Sequence, residues 1–135
     1  MVITLYKSPL KDKKYRVVFE NGTYTDFGGK GYSDYTIHKS PARMRAYVQR
    51  HGGKIKTSTL QEINSEEIHE LMLKVISSKS ESWGKVGIKS AGFWSRWLLW
   101  SMPSIPKAIS FIENKFNVKI NYFPLVRGCL NPNVC

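Results

Sequence analysis

Alternating apolar and polar side chains predict a β-hairpin near the N-terminus. Residues 15–20 are rich in β-branched and aromatic side chains, and the turn Asn21-Gly22 supplies positive φ values before residues 23–27 return. Further strands are predicted at residues 3–6 and 118–123. The alternation places two sets of side chains of the first hairpin strand on opposite faces: Tyr15, Val17 and Phe19 on one, and Arg16, Val18 and Glu20 on the other.

Apolar residues at helical spacing predict four helices in the rest of the chain. Ser40 precedes a proline and is the expected N-cap of the first helix, which Gly52-Gly53 end. Asn64, with Glu67 three residues later, is the expected N-cap of the second. The inner positions of these two helices are predicted to be Met44, Tyr47, Val48, His51, Ile68, Leu71, Met72, Val75 and Ile76.

Three of the four tryptophans lie in residues 92–100, GFWSRWLLW, which predict the third helix. Burying one aromatic side chain removes about 150–250 Å² from water, so this segment is expected to organise the core. Phe93, Trp97 and Trp100 would lie on one side. We expect Trp97 to be buried and one of the other tryptophans to reach the surface as an anchor for a partner. The predicted core and anchor residues are Phe93, Trp94, Trp97 and Trp100.

The predicted elements together indicate an α+β fold. Ser104 is the expected N-cap of the fourth helix, whose inner face is formed by Ile105, Ala108, Ile109, Ile112 and Phe116. A small antiparallel sheet, made from the N-terminal hairpin and the C-terminal strand, would pack against three to four helices. The length of 135 residues is sufficient for one domain with its own core, so residues 1–135 are predicted to form a single domain.

Charge divides that domain into three parts. Residues 1–56 carry twelve Lys or Arg against four Asp or Glu, residues 57–82 two against five, and residues 83–135 seven against one. The middle part is predicted to be an acidic insertion or helical lid, and residues 124–135 an irregular tail. The two cysteines, Cys129 and Cys135, lie in that tail. Free thiols are the simpler interpretation of them, and a disulfide is the alternative.

The net charge of +11 and the pI near 9.8 predict attraction to a polyanion: nucleic acid, an anionic membrane face or an acidic protein. Lys and Arg side chains can contact the phosphates of a nucleic-acid backbone. Tyr24, Tyr32 and Tyr35 occur among these basic residues and could stack on bases. A solvated surface that docks onto acidic neighbours explains the same charge equally well. No apolar run reaches the roughly 20 residues that cross a bilayer, so a membrane contact would be peripheral. The candidate binding residues are Lys11, Lys13, Lys14, Arg16, Lys30, Arg43, Arg45, Arg50 and Arg96.

Catalytic motifs are not found in the sequence. The string Gly28-Gly29-Lys30-Gly31 lacks Walker A spacing and favours a connector over a phosphate cradle. The histidines have no metal-ligand spacing, and no Gly-x-Ser-x-Gly elbow is present. The sequence therefore predicts a protein that is not an enzyme and uses no metal or cofactor. A buried carboxylate–histidine pair in a cleft would favour an enzyme instead.

Two strings of the sequence resemble a known family. The first is FGxKGYSDYTxHK over residues 27–39, continued by Arg43, Arg45, Tyr47 and Arg50-His51; the second is KSAGFWSRWLLW over residues 89–100, continued by Pro103. They are similar to strings of a small basic protein family of unknown function from the nucleocytoplasmic large DNA viruses. The resemblance covers most of residues 15–120. It implies a viral origin and supplies no catalytic residues.

The resemblance and the charge together lead to two hypotheses about function. The first is a minor capsid protein that contacts capsid proteins beneath or between the major capsid building blocks. Such a protein would be found in the virion, and in the host cytoplasm during assembly. The alternative is a basic protein that binds the viral genome, whose affinity for DNA would fall steeply with salt.

Overall fold

A four-stranded sheet forms one layer of the protein in the computed structural model, which describes residues 1–54 and 64–124. The strands are β1 (Val2–Lys7), β2 (Lys13–Val18), β3 (Tyr24–Gly29) and β4 (Lys119–Phe123), and they are ordered β3-β2-β1-β4. The predicted hairpin is therefore β2–β3, and all four strands occur close to where the alternation places them. With the helices described below, the α+β class predicted from the sequence is confirmed.

The sheet is mixed rather than antiparallel throughout. Strands β1, β2 and β3 are antiparallel neighbours, whereas β4 runs parallel to β1, with Ile3 opposite Ile120. A chain that ends one strand and starts a parallel neighbour must cross over a face of the sheet. The last helix completes that crossing, because it ends at Phe116 and its C-cap Asn117, with a positive φ of 53°, turns the chain into β4.

The helices follow the N-cap pattern of the sequence. They are α1 (Tyr35–His38), α2 (Pro41–Arg50), α3 (Ser65–Leu73), a 3₁₀ turn (Lys85–Gly87), α4 (Ala91–Trp94), a π-helical turn (Ser95–Leu99) and α5 (Ile105–Phe116). The side chains of Ser40, Asn64 and Ser104 each accept a hydrogen bond from the backbone N–H three residues later. Each N-cap satisfies a donor that the first helical turn leaves open.

Two local details differ from the predicted helices. The short helix α1 was not predicted; the buried Asp34 is its N-cap and accepts a hydrogen bond from the Thr36 N–H. Helix α3 ends at Leu73 instead of continuing to Ile76, which is 53% exposed. Helix α3 packs against α2, so this part of the predicted acidic segment contributes Ile68 and Met72 to the core.

The main core lies between the helices and one face of the sheet. Alternate residues of the strands point into it, including Ile3, Leu5, Val17, Phe27 and Ile120, each at most 7% exposed. Tyr15, Val17 and Phe19, which the alternation places on one face, all pack in or against this core. None of the helices in the described part of the chain is both long and apolar enough to span a membrane.

The tryptophan-rich segment is buried over most of its surface rather than along one stripe, and only Gly92 and Ser95 of residues 92–100 are partly exposed. The α-helical turn of α4 passes directly into the π-helical turn, which changes the angular spacing of the side chains. Trp94 and Trp97 are fully buried, and Trp100 is 9% exposed. The expectation of a tryptophan anchor on the outer surface is therefore wrong, and these indoles are core residues. Two of the indole N–H groups donate to backbone carbonyls: Trp94 to the Ile88 carbonyl at 2.6 Å and Trp97 to the Trp83 carbonyl at 2.8 Å.

Arg96 is also part of the core, although the sequence analysis placed it among the polyanion-binding residues. Its side chain is fully buried and its guanidinium donates to three backbone carbonyls, those of Trp100 (2.6 Å), Met72 (2.5 Å) and Val75 (3.3 Å). The guanidinium carbon lies 4.4 Å from the centroid of the Trp97 ring. Arg96 therefore cannot contact an external polyanion.

We predict that Arg96→Met lowers the free energy of unfolding by about 3 kcal/mol or more, because each carbonyl left without a partner costs about 1–3 kcal/mol. Arg96→Lys should give an intermediate loss, since one ammonium cannot reproduce the fork of the guanidinium. Urea denaturation measures both. Arg50→Met, at an exposed position, is the control and should change stability by less than about 0.5 kcal/mol. Wild-type stability in Arg96→Met would contradict the structural role.

Candidate polyanion-binding site

A cleft of about 570 Å³, called the main cleft here, opens between the sheet and the helices. Strand β2 and the end of β3 form one wall, helix α2 forms the other, and the tryptophan-rich segment forms the floor. Lys13 and Lys14 line the first wall, and Arg43 and Arg50 line the second. The cleft therefore has cations on both walls, and these would attract an anionic ligand into it.

A smaller cleft of about 280 Å³ adjoins the first. The two share Lys13, Lys14 and Asp34 in their walls, and the smaller one adds Lys7 and Lys30. Together the clefts carry a continuous set of cations, called the basic strip: Lys7, Lys13, Lys14, Lys30, Arg43 and Arg50. Asp34 and Glu81 are the carboxylates that line these clefts, so positive charge is in excess.

Asp34 holds one member of the basic strip in place. Its carboxylate accepts a hydrogen bond from Lys14 Nζ at 2.6 Å, and both side chains are largely buried. Charge-assisted pairs of this kind are stronger than neutral hydrogen bonds. Lys14 is therefore neutralised and fixed, while Arg43, Arg50 and Lys30 are exposed to solvent and available to a ligand.

Stacked rings form the inner wall of the main cleft. The rings of Tyr47 and Trp100 lie 4.4 Å apart and are nearly parallel, and His51 stacks on the other side of Tyr47 at 4.1 Å. His51 Nδ1 lies 3.3 Å from a carboxylate oxygen of Glu81, whose other oxygen accepts from Trp83 Nε1 at 2.9 Å. Burial raises the pKa of the Tyr47 hydroxyl above its ordinary value, so it stays neutral at physiological pH.

Gly28 allows the sheet wall to meet the floor of the cleft. Its φ of 78° is in the left-handed region, and a Cβ atom at this position would lie 2.9 Å from the Leu99 side chain. Only glycine fits such a conformation and such a close approach without strain. The glycine string, interpreted from the sequence as a connector, thus begins inside β3 and brings Lys14 next to the tryptophan-rich segment.

The structure brings five of the nine candidate binding residues together. These are Lys13, Lys14, Lys30, Arg43 and Arg50, all of which line the two clefts. Lys11 is exposed in the turn between β1 and β2, and Arg45 is half-buried on α2; neither lines a described cleft. Arg16 lies on the opposite face of the sheet, and Arg96 is in the core.

Arg16 is occupied by an ion pair. Its Nε and Nη2 atoms each donate to one oxygen of Asp26 at 2.9 Å, and Ser8 donates to the same carboxylate at 2.6 Å. Burial would raise the pKa of Asp26, but the hydrogen bonds from Arg16 and Ser8 outweigh it and lower that pKa. The pair ties β2 to β3 and leaves little of the guanidinium for a ligand.

Three features of the site were missed from the sequence. Lys7 was not among the candidates, and nothing in the spacing indicated that Tyr47 and Trp100 would stack. The His51–Glu81 pair joins two residues that are thirty positions apart. His51 lies at the expected inner position of α2, but a single sequence carries no signal that selects Glu81 as its partner. In residues 1–54 and 64–124, no group of three His, Cys, Asp or Glu side chains could hold a metal ion.

Comparison with known proteins gives one family match. Residues 3–51 match a family of unknown function, DUF5754. The matched part contains strands β1–β3 and helices α1 and α2, and therefore every cation of the basic strip. No curated protein and no solved structure matches the chain.

A row of rings continues behind the cleft wall and includes two histidines. His38 lies 5.2 Å from the Trp100 ring, and the Tyr35 hydroxyl is 2.8 Å from His69 Nδ1. Burial lowers the pKa of both histidines below the ordinary 6.5, and the charge of Arg43 adds to this for His38. Both side chains are thus held neutral in the folded protein at neutral pH.

We predict that the free energy of unfolding falls as pH decreases from about 6.5 toward the lower folded-state pKa values. In this window the unfolded chain binds protons that the folded chain does not, so acid favours unfolding. Urea midpoints measured from about pH 7.5 to about pH 5 test this. His69→Gln removes one titrating group and should make the dependence shallower; an unchanged slope in this variant would contradict the assignment.

Proposed function

We propose that the chain is a non-enzymatic protein of a large DNA virus particle and that it binds nucleic acid through the basic strip. The viral part rests on the resemblance of the two sequence strings described above. The binding part rests on a single observation, namely that cations from β1, β2, α2 and the loop after β3 line two adjoining clefts.

The form of the basic strip supports a polyanion as its ligand. A solvated charged surface has no need for cations on facing walls, where they repel one another at close range. Arg43 and Arg50 lie seven residues apart on α2, which places them two turns apart on one face of the helix. A backbone of successive phosphates can meet such spaced cations and release its own counterions as it does so.

The His51–Glu81 pair is the feature that an enzyme would also use, since a carboxylate orients a histidine that acts as a general base. Both side chains are partly exposed, at 38% and 25%. His51 also stacks on Tyr47, and Glu81 accepts from Trp83, so packing accounts for the position of each. The binding experiment below therefore includes a check that the nucleic acid is recovered intact.

We predict that affinity for duplex DNA falls with salt, and that neutralising the strip reduces this dependence. The slope of log K against log salt is about −0.9 per phosphate contacted, so Arg43→Gln, Arg50→Gln and Lys30→Gln should each make it shallower by about that amount. Fluorescence anisotropy across a salt series measures the slopes.

Lys119→Gln is the matched control, because Lys119 is exposed on β4 and lines neither cleft. It makes the same change in net charge and should leave the slope unchanged. Equal slopes in the Arg43, Arg50 and Lys119 variants would show that binding depends on net charge alone and would overturn the assignment of the basic strip. Cleavage of the DNA would overturn its non-enzymatic character.

A second candidate, a minor capsid protein that contacts capsid proteins beneath or between the major ones, is favoured by the outer face of the sheet. Val2, Tyr24 and Phe123 lie on this face and are 41%, 57% and 56% exposed. Exposed apolar side chains that share one face are typical of protein contacts. In either role the protein would be present in the virion and in the host cytoplasm during assembly.

Mass spectrometry of purified particles, before and after they are emptied of DNA, separates these two candidates. A genome-bound protein should leave with the DNA at low salt and dissociate from it at high salt, because its contacts are electrostatic. A capsid component should remain in the emptied shells in constant ratio to the major capsid protein. Retention in the shells would thus replace the first proposal with the second.

A further inference from the structure

The residues that line the main cleft indicate whether it binds single-stranded or duplex nucleic acid, an inference that rests on the proposed function. We propose that the cleft accepts a single unpaired nucleotide, with its phosphate on Arg43 and Arg50 and its base stacked on Tyr32. The protein would therefore prefer single strands, or unpaired positions, over a continuous duplex.

Tyr32 is placed for stacking at the rim of the cleft. It lines the main cleft, and yet 77% of its surface is exposed, the largest exposure of any described aromatic residue. An exposed aromatic ring beside cations can stack on a base while the cations contact phosphates. Tyr32 lines the same cleft as the two arginines, so one ligand in the cleft can contact all three.

The Tyr32 ring is held against the backbone instead of projecting freely. A Cβ atom on Gly29 would lie 2.7 Å from Tyr32 Cδ2, so the ring packs directly over this glycine. The Tyr32 N–H also donates to the Gly29 carbonyl at 3.2 Å, which closes a tight turn. A ring that is already oriented loses less conformational entropy when a base stacks on it.

The size of the cleft fits one nucleotide, whereas a duplex can contact the exposed arginines without placing a base inside. Its volume of about 570 Å³ lies within the range of about 300–1,000 Å³ that holds small organic ligands. In a duplex both faces of each base are covered by neighbouring pairs, and a base must leave the stack before a side chain can cover it. Stacking on an aromatic ring tolerates any base, because every base has a π-face.

The experiment compares a short oligo-dT strand, an oligo-rU strand and a mixed-sequence duplex of equal length, by anisotropy with wild-type protein. We expect at least one single strand to bind more tightly than the duplex. Tyr32→Ala should weaken single-strand binding by about fivefold or more and leave duplex binding unchanged. Tyr32→Phe, which keeps the ring, should retain the wild-type affinity.

Two further variants make the result specific to the position of the ring. Gly29→Ala displaces the Tyr32 ring and should weaken single-strand binding as Tyr32→Ala does, while Tyr24→Ala, on the outer face of the sheet, should not. An iodouracil-containing strand should photocrosslink to Tyr32, with the site identified by mass spectrometry. Circular dichroism confirms that each variant is folded before binding is measured.

The outcomes distinguish this inference from the function on which it rests. Binding of neither single strand nor duplex would overturn both. Equal affinity for single strand and duplex, together with unchanged single-strand affinity in Tyr32→Ala, would overturn the unpaired-nucleotide site. Binding by the basic strip would remain. A crosslink on Tyr24 instead of Tyr32 would also overturn the proposed site.

Discussion

The buried guanidinium of Arg96 is the interaction on which the helical layer depends. It joins the carbonyls of Met72, in the last turn of α3, and Val75, just after that helix, to the Trp100 carbonyl after the π-helical turn. Burial lowers its pKa to about 10, which still leaves the group protonated at neutral pH. Both terminal nitrogens of the guanidinium donate to carbonyls, and these bonds offset the cost of a cation in an apolar core, whereas Nε has no hydrogen-bond partner. The last residues of α3 and the tryptophan-rich segment are therefore fixed relative to each other.

The cleft follows from this packing. Once Trp100 is fixed, Tyr47 stacks on it and determines which face of α2 turns inward. Arg43 and Arg50 lie about one turn before and one turn after Tyr47 on α2, and they line the main cleft together with Lys13 of the sheet. The residues that match a family of unknown function thus supply the charged walls, and residues outside the match supply the floor.

Local features of this fold were predictable because each is determined by nearby residues. The hairpin at Asn21-Gly22 and the N-caps at Ser40, Asn64 and Ser104 require only neighbours in the chain. The parallel pairing of β4 and the burial of Arg96 depend on contacts between distant segments, which composition and spacing do not encode. The candidate site shows the same division. Arg43 and Arg50 could be predicted from charge, whereas the positions of Arg16 and Arg96 away from the cleft, and of Lys7 within it, depend on the fold. Residues 55–63 and 125–135, which include both cysteines, lie outside the described residues, so the predictions made for them stay predictions.

The pairing of the first strand with the last described strand has a consequence for biosynthesis. β1 leaves the ribosome early, but one of its two edges has no neighbour until residues 119–123 have been made. A hairpin partner is available to its other edge at once. During translation the growing polypeptide therefore exposes an unpaired strand edge with alternating apolar side chains, which invites association between nascent chains. Chaperone contact with the emerging N-terminal meander would protect it until synthesis reaches the final strand.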